Sequence, residues 1–277
     1  MANGRPVDIN PSHACNNPYI GRGAFPEIEM RITVIIPTMN EEAGIGGVIE
    51  SVRKALDGTE FSYDVMIVDT NSKDRTRDIA KEMGALVVEE PRRGYGRAYK
   101  TGFERAEGDV IATLDADCTY PAEEIPRLTR MLQAESLDFI TTNRFAMLEE
   151  GAMSAKHTIG NKALTFTTNL LFHVWIKDSQ SGMWVFRRQL LDRLDLTSDG
   201  MALSEEIKIE AFIHDQISAR ELPIYYRARA GESKLNIWRD GFRNLLFLFR
   251  KRWETFGFVR RRRGYAPVVP ATLIGKK

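Results

Sequence analysis

Asp109-Val-Ile-Ala-Thr-Leu-Asp-Ala-Asp-Cys-Thr-Tyr-Pro121 decides how the rest of the chain is read. Val110 to Leu114 is a short apolar run of the kind that forms a buried central strand. It leads straight into Asp115-Ala116-Asp117, and Pro121 then opens a helix. In open α/β sheets, ligands bind at the carboxyl ends of the strands. Two carboxylates crowded there repel each other unless a cation neutralises them, and hard oxygen donors suit Mg²⁺ or Mn²⁺. Such an ion keeps several waters and takes further oxygens from a substrate phosphate. A solvated acidic turn behind a core strand would use the same residues, so the neighbouring segments have to decide.

On both sides of this run, strands alternate with helices. Ile32 to Pro37 reads as a buried strand, followed by a helix from about Glu42 to Leu56 and a second strand from Asp64 to Asp69. A helix from Asp74 to Met83 ends at Gly84, a suitable C-cap. Leu86 to Val88 is a third strand, and Tyr95 to Ala106 a helix before the Asp-x-Asp strand. A helix past Pro121 and a strand from Phe139 to Thr142 complete this half. Helices are expected near Ile159 to Phe172 and around Glu205, and a strand from Ser218 to Tyr226. Alternation on this scale implies right-handed crossovers and a largely parallel sheet within one α/β domain.

The 277 residues carry a net charge of +1, unevenly spread. From Trp238 onward, eleven Lys and Arg stand against Asp240 and Glu254, a net of +9. That asymmetry points to an anionic partner. Nucleic acid does not fit, because the chain shows no recognition motif and no groove of interleaved basic and aromatic residues. An anionic membrane surface fits better. Trp238, Phe242, Leu245, Leu246, Phe249 and Trp253 recur at helical spacing, with Arg239, Arg243, Arg250 and Arg252 off that stripe and Arg260 to Arg263 beyond it. The other reading of the stripe is packing on the protein's own sheet.

No apolar run approaches the roughly 20 residues of a membrane span, and residues 1–29 lack a signal-peptide core. They read as an extended arm ahead of a domain over residues 30–236, with an amphipathic basic helix and tail over 237–277. Cys15 and Cys118 make neither a disulfide framework nor a zinc site, which fits a reducing cytoplasm. His13, His157, His173 and His214 have no metal-ligand spacing.

Polar turns follow each of the first four strands: Pro37 to Glu42, Asp69 to Asp74, Arg92 to Arg97, and Asp115 to Asp117. Gathered along one sheet edge, they describe a site for a nucleotide, its diphosphate and a metal. The series Ile36-Pro-Thr-Met-Asn-Glu41, Val68-Asp-Thr-Asn-Ser-Lys-Asp74, Gly94-Tyr-Gly-Arg-Ala98 and Leu114-Asp-Ala-Asp117 resembles the family 2 glycosyltransferases of the GT-A fold. Asp178-Ser-Gln-Ser-Gly-Met183, Glu221-Leu-Pro-Ile224 and Arg229-Ala-Gly-Glu-Ser-Lys-Leu235 are similar to the branch of dolichyl-phosphate mannose synthase and other polyprenyl-phosphate glycosyltransferases. The match runs from about Arg31 to Phe249.

The resemblance implies a mixed, mostly parallel sheet flanked by helices, with an inverting transfer of mannose, glucose or N-acetylglucosamine. The donor would be a nucleotide-diphosphate sugar and the acceptor dolichyl or polyprenyl phosphate, feeding protein or cell-surface glycosylation. It implies Pro37, Glu41, Asp69, Asn71 and Arg92 at the nucleotide, and Asp115, Ala116 and Asp117 at a Mg²⁺ or Mn²⁺ ion held by the two carboxylates. Arg144 and Arg229 would offer guanidinium forks to phosphate, Lys234 a further charge, and Glu205 a carboxylate facing the acceptor. Thr119 stands where the mannose synthases commonly place a glutamine metal ligand, and Thr70 where a second acidic residue is often found. The expected location is the cytoplasmic face of a membrane, peripherally bound, alone or through a membrane-protein partner. The competing readings are a soluble acceptor and a nucleotide-sugar-binding subunit without catalysis.

Overall fold

The computed structural model describes residues 30–229 and 237–256. The arm, the segment containing Lys234, and the Arg260 to Arg263 cluster lie outside them. Seven strands form one sheet in the order β3-β2-β1-β4-β6-β5-β7. Of these, β1 (Arg31–Thr38), β2 (Ser62–Asp69), β3 (Leu86–Glu89) and β4 (Val110–Thr113) pair in parallel. Further along, β5 (Phe139–Leu148) and β7 (Ala219–Tyr226) are parallel to each other, while β6 (Trp184–Arg187) runs antiparallel between β4 and β5. The expected α/β class with a mixed, mostly parallel sheet is the observed one.

The central strand shows why the sheet needs helices on both faces. In β1, Ile32, Val34 and Ile36 point into one core layer with α1 (Ile45–Leu56), α2 (Thr76–Glu82) and α4 (Glu124–Ala134). Ile35 points into the other, with α3 (Tyr95–Arg105) and α6 (Leu203–Ile213). Side chains alternate across a strand, so a strand covered on both sides must be apolar throughout. Helix α3 lies so close that a Cβ on Gly102 would stand 2.7 Å from Ile35 Cγ2. The chain order reverses between β1 and β4: β2 and β3 extend to one side of β1, and the next strand returns to the other. The Asp-x-Asp turn leaves β4 at that switch point, where α/β sheets hold their ligands.

Two helices outside the sheet form a third layer. α5 (Ala155–Phe172) and α7 (Ile237–Phe256) pack together over Leu164, Phe172, Ile209 and Leu248. α5 begins earlier than its apolar pattern indicates, because Ser154 caps it by accepting from the His157 amide at 3.3 Å. α7 turns the expected stripe outward. Its inner face is Asn244, Leu248 and Lys251, each nearly fully buried, with Leu245 half-buried at the margin. Phe242, Leu246, Phe249 and Trp253 are exposed, Trp253 by 76%. The polar inner residues have partners: Lys251 Nζ lies 2.8 Å from Glu210 Oε1 and 3.2 Å from Glu206 Oε1, and donates to the Asp195 carbonyl. The four exposed residues of the stripe are therefore not packed on the sheet. Ile159, Phe166 and Leu170 of α5, and Trp175 just after it, are exposed as well. No helix among the described residues is long and apolar enough to cross a membrane.

Candidate active site

A cavity of about 1230 Å³ opens at the carboxyl ends of β1 and β4 and continues under α5 and α7. Asp115 stands on its floor, its Oδ1 accepting from the Tyr95 hydroxyl at 3.2 Å. Burial, and then the charge of Asp117, push the Asp115 carboxyl up to about 7. A bound cation would relieve that cost directly. Among the described residues no three His, Cys, Asp or Glu side chains form a ready-made metal cage. Two carboxylates, Asp115 and Asp117, would fill only part of a divalent ion's shell and leave the rest to other oxygens.

Thr119 lines the cavity and braces Asp117. Its amide and its hydroxyl both donate to Asp117 Oδ1, at 3.2 and 2.7 Å. Asp117 Oδ2 is paired with Arg229 Nη2 at 2.8 Å. Ala116 and Arg229 line the same cavity.

Arg144 forms the opposite wall, where the β5–β7 register shifts between Asn143 and Met147 and the strand bends. Its Nε and Nη2 donate to Asp178 at 2.7 and 2.9 Å, and its guanidinium lies 5.4 Å from the Tyr226 ring centroid. Burial alone would lower the Arg144 pKa, but the Asp178 carboxylate outweighs it and the charge is held firmly. With one edge of the fork spent on Asp178, the remaining N–H groups are left for a ligand phosphate. Behind them, fully buried Lys208 donates to the Asp178 carbonyl at 2.7 Å, its pKa lowered to about 7 by burial.

Pro37 and Glu41 line the cavity, together with Thr38, Thr70 and Arg93. Asp69 does not reach it. That carboxylate is buried, receiving the Thr38 and Ser72 hydroxyls and the Ser72 amide, with Arg77 Nε at 3.6 Å. It holds the β1 and β2 turns together, and with Asn71 it lines a separate small cavity of about 210 Å³. Arg92 is also outside the main cavity: it grips Glu90 through Nε and Nη2 at 2.7 and 2.8 Å, which holds the Glu90 carboxyl well below its usual range. Its neighbour Arg93 takes the lining position.

Glu205 differs most from its sequence reading. It is fully buried and does not line the cavity. Burial pushes its carboxyl up to about 8, so it is neutral near pH 7 and accepts from Gln180 Nε2. Gln180 is the residue that faces the ligand space there. Sequence reasoning quoted the Asp178-to-Met183 segment without giving Asp178 or Gln180 a role, and likewise Tyr95. The signal was a polar run, Asp-Ser-Gln-Ser, set before the apolar Trp184-Val-Phe186.

The glycosyl transferase family 2 model matches residues 33–195. A low-salt glycan biosynthesis hexosyltransferase, Agl6, of Haloferax volcanii is 39% identical over 224 residues, covering 80% of this chain and 54% of the relative. A dolichyl-phosphate hexose transferase of the same organism is 33% identical over 210 residues, covering 76% of this chain and 89% of the relative. This chain thus spans about half the length of the first and most of the second. Glucosyl-3-phosphoglycerate synthase from Mycobacterium tuberculosis in complex with UDP superimposes with a TM-score of 0.66 at 20% identity, over 80% of each chain. That likeness concerns the fold. With the Asp-x-Asp turn at the switch point of this sheet, the matches place the chain in glycosyl transferase family 2.

Proposed function

We propose that this protein moves a hexose from a nucleotide-diphosphate sugar to the phosphate of a polyprenyl or dolichyl lipid, with inversion at the anomeric carbon. One observation carries the reading. A single cavity joins the Asp115–Asp117 pair to the space beneath two helices whose outer faces are apolar. The relatives that bear dolichyl-phosphate hexose transferase and dolichol-phosphate mannosyltransferase names support it. In this reading residues 30–236 are the catalytic domain, and 237–277 carry it to a membrane surface.

A phosphate monoester is already an anionic nucleophile at neutral pH, so transfer needs no strong general base. That agrees with a Glu205 held neutral and behind Gln180. Arg144 and Arg229 attract and orient the two phosphate groups, the acceptor's and the donor's, and fix the line of attack. Mg²⁺ or Mn²⁺ held by Asp115 and Asp117 would supply positive charge to the departing diphosphate. The exposed face of Phe242, Leu246, Phe249 and Trp253, flanked by Arg239, Arg243 and Arg250, suits the headgroup boundary of an anionic bilayer. The same face is available to a membrane-protein partner. A lipid surface on the cytoplasmic side would give access to both substrates.

Labelled UDP-glucose, UDP-N-acetylglucosamine and GDP-mannose, each offered with polyprenyl phosphate and with soluble phosphorylated acceptors, test the proposal. Label is expected in the lipid fraction. Label found only in a soluble product would assign the enzyme to the other acceptor class, and none anywhere would favour a binding subunit.

A further inference from the structure

The segment that carries Gln180 passes close to Asp115. Gly182, two residues on, donates its amide to the Tyr120 hydroxyl at 2.6 Å. A Cβ there would overlap the Tyr95 hydroxyl and stand 3.5 Å from Asp115 Oδ1. Backbone this near Asp115 leaves no room for a side chain, and Gln180, two residues earlier, lines the same cavity as Asp115 and Asp117.

The Gln180 amide is fixed on several sides. Nε2 donates to Glu205 Oε1 and to Ser179 Oγ at 2.8 Å. Oε1 accepts from Asn244 Nδ2 at 3.1 Å, and the backbone amide donates to Asp178 Oδ1 at 3.0 Å. A primary amide has two N–H groups and two carbonyl lone pairs. Both hydrogens and one lone pair are spent, which leaves one lone pair on a side chain that lines the cavity. Such a group accepts a hydrogen and offers none. A deprotonated phosphate has nothing to give it, whereas a sugar hydroxyl does.

We propose that Gln180 is a sugar-recognition residue, accepting a hydroxyl of the transferred hexose through a carbonyl locked in place by Glu205 and, from the C-terminal helix, by Asn244. This rests on the nucleotide-sugar donor proposed above. It makes α7 part of the donor site, although the family match ends at residue 195.

Calorimetric titration with UDP, UDP-glucose, GDP and GDP-mannose, in the presence of Mn²⁺, tests the assignment. For the wild type, one nucleotide pair binds, and the sugar nucleotide binds more tightly than its diphosphate. Gln180→Leu keeps the diphosphate affinity and weakens the sugar nucleotide by about tenfold, the scale of one lost hydrogen bond with an orphaned partner. Asn244→Leu acts in the same direction, because the carbonyl is then free to turn, and it raises the donor KM more than it lowers kcat. Unchanged sugar-nucleotide affinity in Gln180→Leu overturns the proposal. So does an equal loss for the diphosphate, which would make Gln180 a structural residue. A wild type that binds none of the four ligands removes the donor reading itself, and the assignment with it.

Discussion

Replacing Asp178 with Asn removes the counter-charge of a buried guanidinium, and the structure fixes how large the effect should be. Asp178 is fully buried. Its carboxylate receives Arg144 Nε, Nη2 and backbone N–H at 2.7, 2.9 and 3.1 Å, and the Gln180 amide at 3.0 Å. Asn keeps an oxygen for only one of the two backbone donors, which address different oxygens of Asp178, and it leaves Arg144 charged without a counter-charge. Breaking one side of a buried pair costs about 3–5 kcal/mol, a large part of the stability of an ordinary domain. Urea unfolding, followed through the fluorescence of core Trp184, should show that loss at pH 7. Arg144→Met in the same chain removes the stranded charge, so the double variant Arg144→Met/Asp178→Asn should regain most of it. Both variants lose transfer, because neither presents a correctly held Arg144 to phosphate. Asp178→Asn lying within about 1 kcal/mol of wild type would refute the reasoning. Additive losses in the double variant would refute it equally, since independent sites add and coupled ones do not.

Three further outcomes are expected. Glu205 titrates near 4.5 when unfolded and near 8 when folded, so between these values the native state binds the extra proton and stability falls as pH rises. Glu205→Gln should remove its part of that fall, up to about 1.4 kcal/mol per pH unit, between about pH 5 and 7, below the range where Lys208 starts to contribute the opposite slope; parallel urea titrations across that range check it, and parallel curves for the two proteins would contradict it. Asp117→Ala should abolish transfer and weaken Mn²⁺ binding in the presence of nucleotide by about tenfold or more, measured by calorimetry, while circular dichroism stays native. Phe249→Ser/Trp253→Ser should lower binding to anionic liposomes by at least about tenfold in flotation, because two large side chains lose their apolar seat, and salt should weaken the wild type further.

The parallel core was legible because β1, β2 and β4 are continuous apolar runs, which only a doubly covered sheet needs. Their following turns were legible for the same reason: strand ends locate a ligand edge before any side chain is placed. β6 was missed, being four residues long and inserted antiparallel between β4 and β5, a pairing that no local pattern announces. α6 carries Glu205, Glu206, Lys208 and Glu210, and all four are buried because Gln180, Thr197, Lys251 and Asp178 supply partners from other segments. The same cause orients α7. Asn244 and Lys251 face inward to meet Gln180, Glu206 and Glu210, and the aromatic stripe is left outside. Asp69 and Arg92 looked like ligand contacts because their types and positions suit one; their neighbours Thr38, Ser72 and Glu90 occupy them instead.

The central claim is that the acceptor is a lipid phosphate. Matched polyprenyl phosphate and polyprenol, equal in chain length and presented in the same vesicles with the donor that binds and Mn²⁺, separate the role of the phosphate from that of the lipid. Mass spectrometry should find one hexosyl residue added to the phosphate lipid, with one nucleoside diphosphate released for each, and no change in polyprenol. Hexosylated polyprenol, or donor consumed with both lipids unaltered, would contradict the account.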